Sequence, residues 1–199
     1  MAKVSFDISM SLDGFIAGPN DGPGNGLGDR GHRLHEWFLR GAGPGHYRSP
    51  GHLAGADREV MDELMATGAV VVGRRTFELA DGWGGDHHDG VPVFVLTHDV
   101  PDDPPPGSVR YVTDVRECAA QARTAAGDCD VMVHGAVTAQ RALTAGVLDE
   151  LQIHLVPVLF GQGRRLFENM PPQHIELELL RAVDGPGVLH LRYRVRSAG

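Results

Sequence analysis

Residues 69–73, AVVVG, form a short apolar run built on three consecutive β-branched valines, and it passes directly into RRTFE. Residues 131–134, VMVH, pass in the same way into GAVTAQ. Apolar runs this short, with a helical pattern following at once, read as strands buried on both faces in βαβ units of a parallel sheet. The chain must therefore place helices on both faces of that sheet.

The remaining segments agree with that reading. Val4 to Met10 alternates as a strand, Asp13-Gly14 makes a turn, and Phe15 to Ala17 resumes the apolar pattern. Short helices are expected over His32 to Arg40 and Ala56 to Thr67, the second with Val60, Met61, Leu64 and Met65 on one side. Strands are expected over Val91 to Thr97 and Val109 to Thr113, joined by the stiff segment HDVPDDPPPG. Asp114 with Glu117 three residues on resembles a capping box and opens a helix to about Ala126. A further helix over Ala136 to Ala145 is ended by Gly146. Leu151 to Val158, Ile175 to Val183 and Val188 to Val195 close the chain as strands, the last two as an antiparallel hairpin around Asp184-Gly185-Pro186-Gly187. The expected fold is α/β: a mixed, mostly parallel central sheet with a C-terminal antiparallel hairpin. No composition break or repeat divides residues 1–199, so one domain is expected, with Gly/Pro-rich insertions at about 18–31 and 41–55. The stretch GPNDGPGNGLG reads as a mobile surface loop, either a plain connector or a lid.

Composition excludes several classes of function. A net charge of -8 argues against nucleic acid and anionic membrane surfaces as partners. The start, MAKVSFDISM, lacks the apolar stretch and cleavage site of a signal peptide, and no run approaches the roughly 20 apolar residues of a membrane span. Cys118 and Cys129 are too few for a disulfide framework or a zinc site. A cytoplasmic location and no metal are expected. His87-His88, between Asp86 and Asp89, reads as a solvated loop rather than a metal site.

The chemistry concentrates at the two strand-to-helix junctions. A helix start offers unpaired N–H groups and the positive end of a dipole, which together attract anions. In Gly73-Arg74-Arg75-Thr76 the glycine admits close backbone approach, and arginine suits phosphate because its planar fork binds two oxygens. The competing reading is a pair of solvated surface charges. Gly135-Ala136-Val137-Thr138 is a second cradle, although a plain helix-capping glycine would look the same. Asp57 opens a helix and is either an N-cap or a substrate-binding carboxylate.

In order, strand–GRRTF, VPVFVLTH and strand–HGA–helix resemble the dihydrofolate-reductase-like fold. SLDGFIA at residues 11–17 and LDELQIHLVPVLFGQGRRLF at 148–167 narrow the resemblance to its riboflavin-biosynthesis reductase branch. The resemblance implies NADPH as cofactor. Gly73, Arg74, Arg75 and Thr76 would bind its phosphates, and Leu96, Thr97 and His98 would flank the adenosine. Gly135, Ala136, Val137 and Thr138 would hold the pyrophosphate, with His134 standing where the family more often has another glycine. Ile16 and Ala17 would lie beside the nicotinamide. Asp57 matches the acid that precedes the GRRT-type strand in dihydrofolate reductases, and takes the catalytic role by implication. The substrate implied is the ribosylamino-pyrimidine of riboflavin synthesis, with dihydrofolate, another small carbonyl, or no turnover at all as alternatives. The deaminase signature of the bifunctional riboflavin enzyme does not occur in this sequence, and a homodimer is the implied assembly.

Overall fold

The computed structural model describes residues 2–39, 53–103, 109–168, 170–172 and 174–196. Its strands are β1 (Val4–Ser11), β2 (Phe15–Ala17), β3 (Ala69–Gly73), β4 (Val93–Leu96) and β5 (Val109–Val112). They continue with β6 (Val131–His134), β7 (Glu150–Val156), β8 (Arg164–Arg165), β9 (Leu177–Gly185) and β10 (Val188–Val195). Eight of them form one sheet in the order β5-β4-β3-β6-β1-β7-β10-β9. The pairings from β5 to β7 are parallel, and β10 and β9 add as the antiparallel hairpin. This is the mixed sheet that the sequence pattern requires. β2 and β8 make a separate antiparallel pair, which the sequence pattern did not announce because β8 is only two residues long.

The helices are α1 (Glu36–Leu39, continuing a 3-10 turn over Gly31–His35), α2 (Gly55–Met65), α3 (Arg74–Leu79), α4 (Val115–Ala126) and α5 (Ala136–Thr144). Strand alternation sorts the core into two layers. Val71, Phe94 and Val133 point toward Ala119, Ala122, Ala139 and Ala142, whose small side chains let α4 and α5 lie close to the sheet. Val70, Val72, Val93, Val95 and Met132 fill the opposite face. Farther along that face Leu34, Trp37, Val60 and Met61 cover Val156 and Val188. Phe94 is fully buried, and truncating it to alanine would cost about 3–5 kcal/mol.

Local signals hold where a side chain makes them. The Asp114 carboxylate accepts the backbone N–H groups of Arg116 and Glu117, capping α4 as expected. Asp57 does not cap α2: Ala54 holds that position, and Asp57 lies inside the first turn, buried. The Gly-rich stretch after β2 is tied together rather than open. Asn20 and Asn25 both donate to the Asp29 carboxylate, and Gly18 N–H donates to Leu27 O. His87-His88 is not a solvated loop, because His88 is buried and bonds to Thr67. Most of the second Gly/Pro-rich insertion, residues 41–52, lies outside the described residues. Among the described residues no helix is long and apolar enough to cross a membrane.

Candidate active site

β3 and β6 are neighbours, so their two helix starts emerge side by side at the same edge of the sheet. Such strand ends are where open parallel sheets bind ligands. The packing there is reciprocal. A Cβ on Gly73 would meet Thr138 Oγ1 at 2.6 Å, and one on Gly135 would meet Thr76 Oγ1 at 2.6 Å. Gly135 also has a φ of 90°, which L side chains rarely adopt. Each glycine thus makes room for the threonine hydroxyl of the other helix, and both backbones stay open to the cleft above them.

That cleft has a volume of about 860 Å³, within the usual range for ligand sites. Every residue expected at the cofactor lines it: Ile16 and Ala17 from β2, and Gly73, Arg74, Arg75 and Thr76 from the β3–α3 junction. Leu96, Thr97 and His98 follow from the end of β4, and Gly135, Ala136, Val137 and Thr138 from the start of α5. Asp57 is not on its wall.

The cations of this end carry only loosely held partners. Arg74 pairs with Glu78 at 2.7 Å, and Arg75 pairs with Asp21 at 3.1 Å, both at about half-exposed guanidinium groups. Pairs this exposed are screened by water and weakly held, so an incoming anion can replace them. Glu78 holds the Arg74 pKa above its ordinary value. Asp21 also takes Arg164 at 2.8 Å, and although burial alone would raise its pKa, bonds from Arg164 and Arg75 hold it down. Arg141 donates to His98 Nε2 at 2.6 Å. Arg164 and Arg141 line the cleft without having been singled out by sequence. The first sat in plain view in the GQGRR block, but only the β2–β8 pairing aims it inward.

The two outlying sequence blocks meet behind this end. Asp13 of SLDGFIA accepts Gly161 N–H at 2.7 Å, Phe160 N–H at 3.1 Å and the Ser11 hydroxyl at 2.6 Å. Burial pushes its pKa up, yet these bonds outweigh it and hold the carboxyl at about 2.

The opposite end of the cleft is lined by imidazoles, a carboxylate and apolar side chains. Asp7, Ser9, His35, Trp37 and His154 meet Phe38, Met61, Leu64 and Met65 there. His35 has its pKa lowered to about 4 by burial. His134, half-buried between the two ends, bonds to His87 at 3.0 Å; desolvation lowers its pKa, partly opposed by Asp7, so it stands neutral near pH 7. It narrows the cleft beside Gly135 without adding charge. Trp83, at a left-handed φ of 51°, packs against His87 with ring centres 4.6 Å apart. Both tryptophans thus flank the cleft.

Asp57 sits below this end. It bonds to His190 at 2.9 Å, His190 bonds to His154 at 2.8 Å, and His154 bonds to Asp7 at 2.9 Å. Asp7, His154 and His190 went unmarked in the sequence. Their only signal was a polar residue at alternate positions of strands, which ordinarily means a solvated face. Here α1 and α2 cover that face, so the polar groups are buried and must bond one another.

The family model described as "RibD C-terminal domain" matches residues 2–191. No curated protein matches the sequence. Among solved structures, a Shewanella sp. PV-4 protein attributed to riboflavin biosynthesis superposes with a TM-score of 0.66 at 23% identity, over 98% of this chain and 99% of that one. Dihydrofolate reductase from Enterococcus faecalis, complexed with NADP(H) and RAB-propyl, gives 0.61 at 18% identity over 98% and 97%. The deaminase/reductase 5-amino-6-(5-phosphoribosylamino)uracil reductase of Thermotoga maritima gives 0.64 at 14% identity, over 98% of this chain and 57% of that one. Likenesses at this identity establish the dihydrofolate-reductase-like fold. Together with a family match spanning nearly every residue, they place the chain in the RibD C-terminal domain family.

Proposed function

We propose that the protein is an NADPH-dependent reductase of a small, flat, nitrogen-containing ring or a related carbonyl. Membership of the RibD C-terminal domain family supports an oxidoreductase of that kind. The observation that carries the cofactor is the reciprocal Gly73–Thr138 and Gly135–Thr76 packing, which leaves two helix starts bare beside Arg74, Arg75 and Arg141. Gly73, Thr76, Gly135, Ala136, Val137 and Thr138 would receive the pyrophosphate through backbone N–H and hydroxyl groups. Arg74 or Arg75 would pair with the 2′-phosphate, releasing Glu78 or Asp21. Leu96, Thr97 and His98 would bound the adenosine, and Ile16 and Ala17 the nicotinamide. When bound, NADPH supplies a hydride, and the fold's task is to aim it at the substrate's C=N or C=O carbon.

At the other end Asp7 can accept N–H donors, which suits the amino-pyrimidine edge shared by pterins and riboflavin precursors. The nearest implied substrate is 5-amino-6-(5-phosphoribosylamino)uracil. One observation favours a second reading. Among the described residues the substrate end holds a carboxylate but no lysine or arginine, which suits an unphosphorylated ring such as a dihydropterin.

The test is a thermal melt with NADPH and with NADH, followed by NADPH oxidation on both substrate types. Stabilisation by NADPH with turnover supports the reductase. Stabilisation without turnover on any pterin or pyrimidine would leave a nucleotide-binding protein, and no stabilisation would remove the cofactor reading. A homodimer and a cytoplasmic location complete the proposal. Leu177, Leu179 and Leu180 are exposed on the edge strand β9, where a second copy could cover them. A monomeric mass in light scattering would discard the dimer.

A further inference from the structure

The chain Asp57–His190–His154–Asp7 is buried throughout, at 5%, 2%, 1% and 8% exposure. The sheet register builds it. Ser9 of β1 lies opposite His154 of β7, and His154 lies opposite His190 of β10, so the side chains share one face. Trp37 covers both imidazoles, with ring centres 4.7 and 4.9 Å away, and donates its Nε1–H to Ser9 Oγ. The link between the histidines joins Nδ1 to Nδ1 at 2.8 Å.

Counting protons shows what this arrangement demands. Two ionised carboxylates bring none, and two neutral imidazoles bring two between them. If each imidazole gives its Nε2–H to its own aspartate, the two Nδ1 lone pairs face each other at 2.8 Å, which is repulsive. All three contacts become hydrogen bonds only with a third proton, leaving a net charge of −1. That proton can reside on an imidazole or on either carboxyl, with each bond reversing in turn. Only one terminus reaches the cleft: Asp7 and His154 line it, while His190 and Asp57 do not.

Hydride addition to a C=N bond leaves a nitrogen that must take up a proton. We propose that this buried chain stores that proton and delivers it through Asp7, which acts as the catalytic acid; the inference rests on the reductase reading. The hydride brings two electrons to carbon as NADPH becomes NADP⁺, the C=N π pair moves to nitrogen, and nitrogen takes the proton from Asp7. The chain is then left with two protons and a charge of −2, and a solvent proton entering as product leaves restores the third. His154, His190 and Asp57 are positioning residues in this scheme. Asp57 therefore acts from beneath the cleft without touching substrate. Among the described residues, the charged and titratable groups around the chain are His35 on the 3-10 turn, His134 on β6, and Glu63, Asp130 and Arg192, which line a separate small cavity with Asp7.

Two measurements decide the matter separately. Nitrogen NMR of the histidine-labelled protein, without cofactor or substrate, should find a proton shared between Nδ1 of His154 and Nδ1 of His190 from pH 6 to 8. Two bare Nδ1 atoms over that range would overturn the proposal, whatever the protein reduces. In turnover, Asp57→Asn should lower kcat at least 10-fold, leave KM and NADPH affinity unchanged, and alter the solvent isotope effect on kcat. His190→Gln should do the same and serves if Asp57→Asn does not fold. Unchanged kcat and isotope effect in a folded variant would overturn the relay. Absence of turnover in the wild-type protein on every ring tested would instead sink the reductase reading, leaving the proton count to stand or fall by NMR.

Discussion

The two ends of the cleft are built by opposite strategies. The proposed cofactor end comes from contiguous segments, 73–76, 96–98 and 135–138, each sitting where a parallel strand stops, and it is cationic and half exposed. The other end gathers residues from β1, the 3-10 turn, α1, α2 and β7, and of its ionisable groups Asp7 and His154 are buried and His35 partly so. A generic ligand such as a nucleotide can be held by backbone geometry at any strand end of this kind. A particular substrate needs side chains placed one by one, which only distant elements can supply.

The sharpest way to break that contrast is at Gly135. Gly135→Ala adds a Cβ against Thr76 Oγ1 at a φ of 90°, and should cost about 2–3 kcal/mol and abolish NADPH stabilisation in a melt. Gly146→Ala, also at positive φ but with open space around it, should cost only about 1 kcal/mol and leave NADPH stabilisation intact. Equal effects would mean the close packing of the two helix starts is irrelevant to the cofactor.

Next in size is cofactor preference. Replacing both Arg74 and Arg75 by alanine should weaken NADPH at least about 10-fold relative to NADH, since one lost charge-assisted contact is worth about 1.5–3 kcal/mol. Stability should barely change, because both arginines sit in exposed pairs. An unchanged NADPH-to-NADH ratio would show that the cationic end does not read the 2′-phosphate.

At the other end the expected signature is pH dependence. His35 has a folded pKa of about 4 against an ordinary 6.5. The unfolded chain therefore binds the proton first, so His35's contribution is complete above about pH 6.5 and is lost as pH falls toward 4. His35→Gln should flatten that part of a denaturation-against-pH curve. If the slope between pH 6.5 and 4 persists, His35 is not its source.

The smallest effect sharpens the comparison by spectroscopy. Trp37→Phe removes the indole bond to Ser9 and should cost about 1 kcal/mol. The remaining Trp83 then reports the region around His87 and His134, so substrate-induced quenching should nearly vanish in Trp37→Phe. Undiminished quenching would place the substrate nearer Trp83.

What the sequence determined by itself is the part that is local. A βαβ junction is a strand, a glycine and a helix start in one continuous stretch, so AVVVGRRTFE and VMVHGAVTAQ reveal both the parallel sheet and the edge proposed to bind phosphate. Asp114 announced the start of α4 for the same reason, since a cap bonds to N–H groups two and three residues away. Short-range geometry of this kind varies little with the rest of the fold. The tertiary structure decided everything that depends on which face of a strand is covered. VSFDISM and ELQIHLV have the same alternation whether their polar side faces water or a helix. Only the docking of α1 and α2 turned Asp7, His154 and His190 from surface residues into a buried chain ending at Asp57. Those residues lie up to 183 positions apart, from Asp7 to His190, and what joins them is sheet register and loss of water, neither of which is written in any one segment.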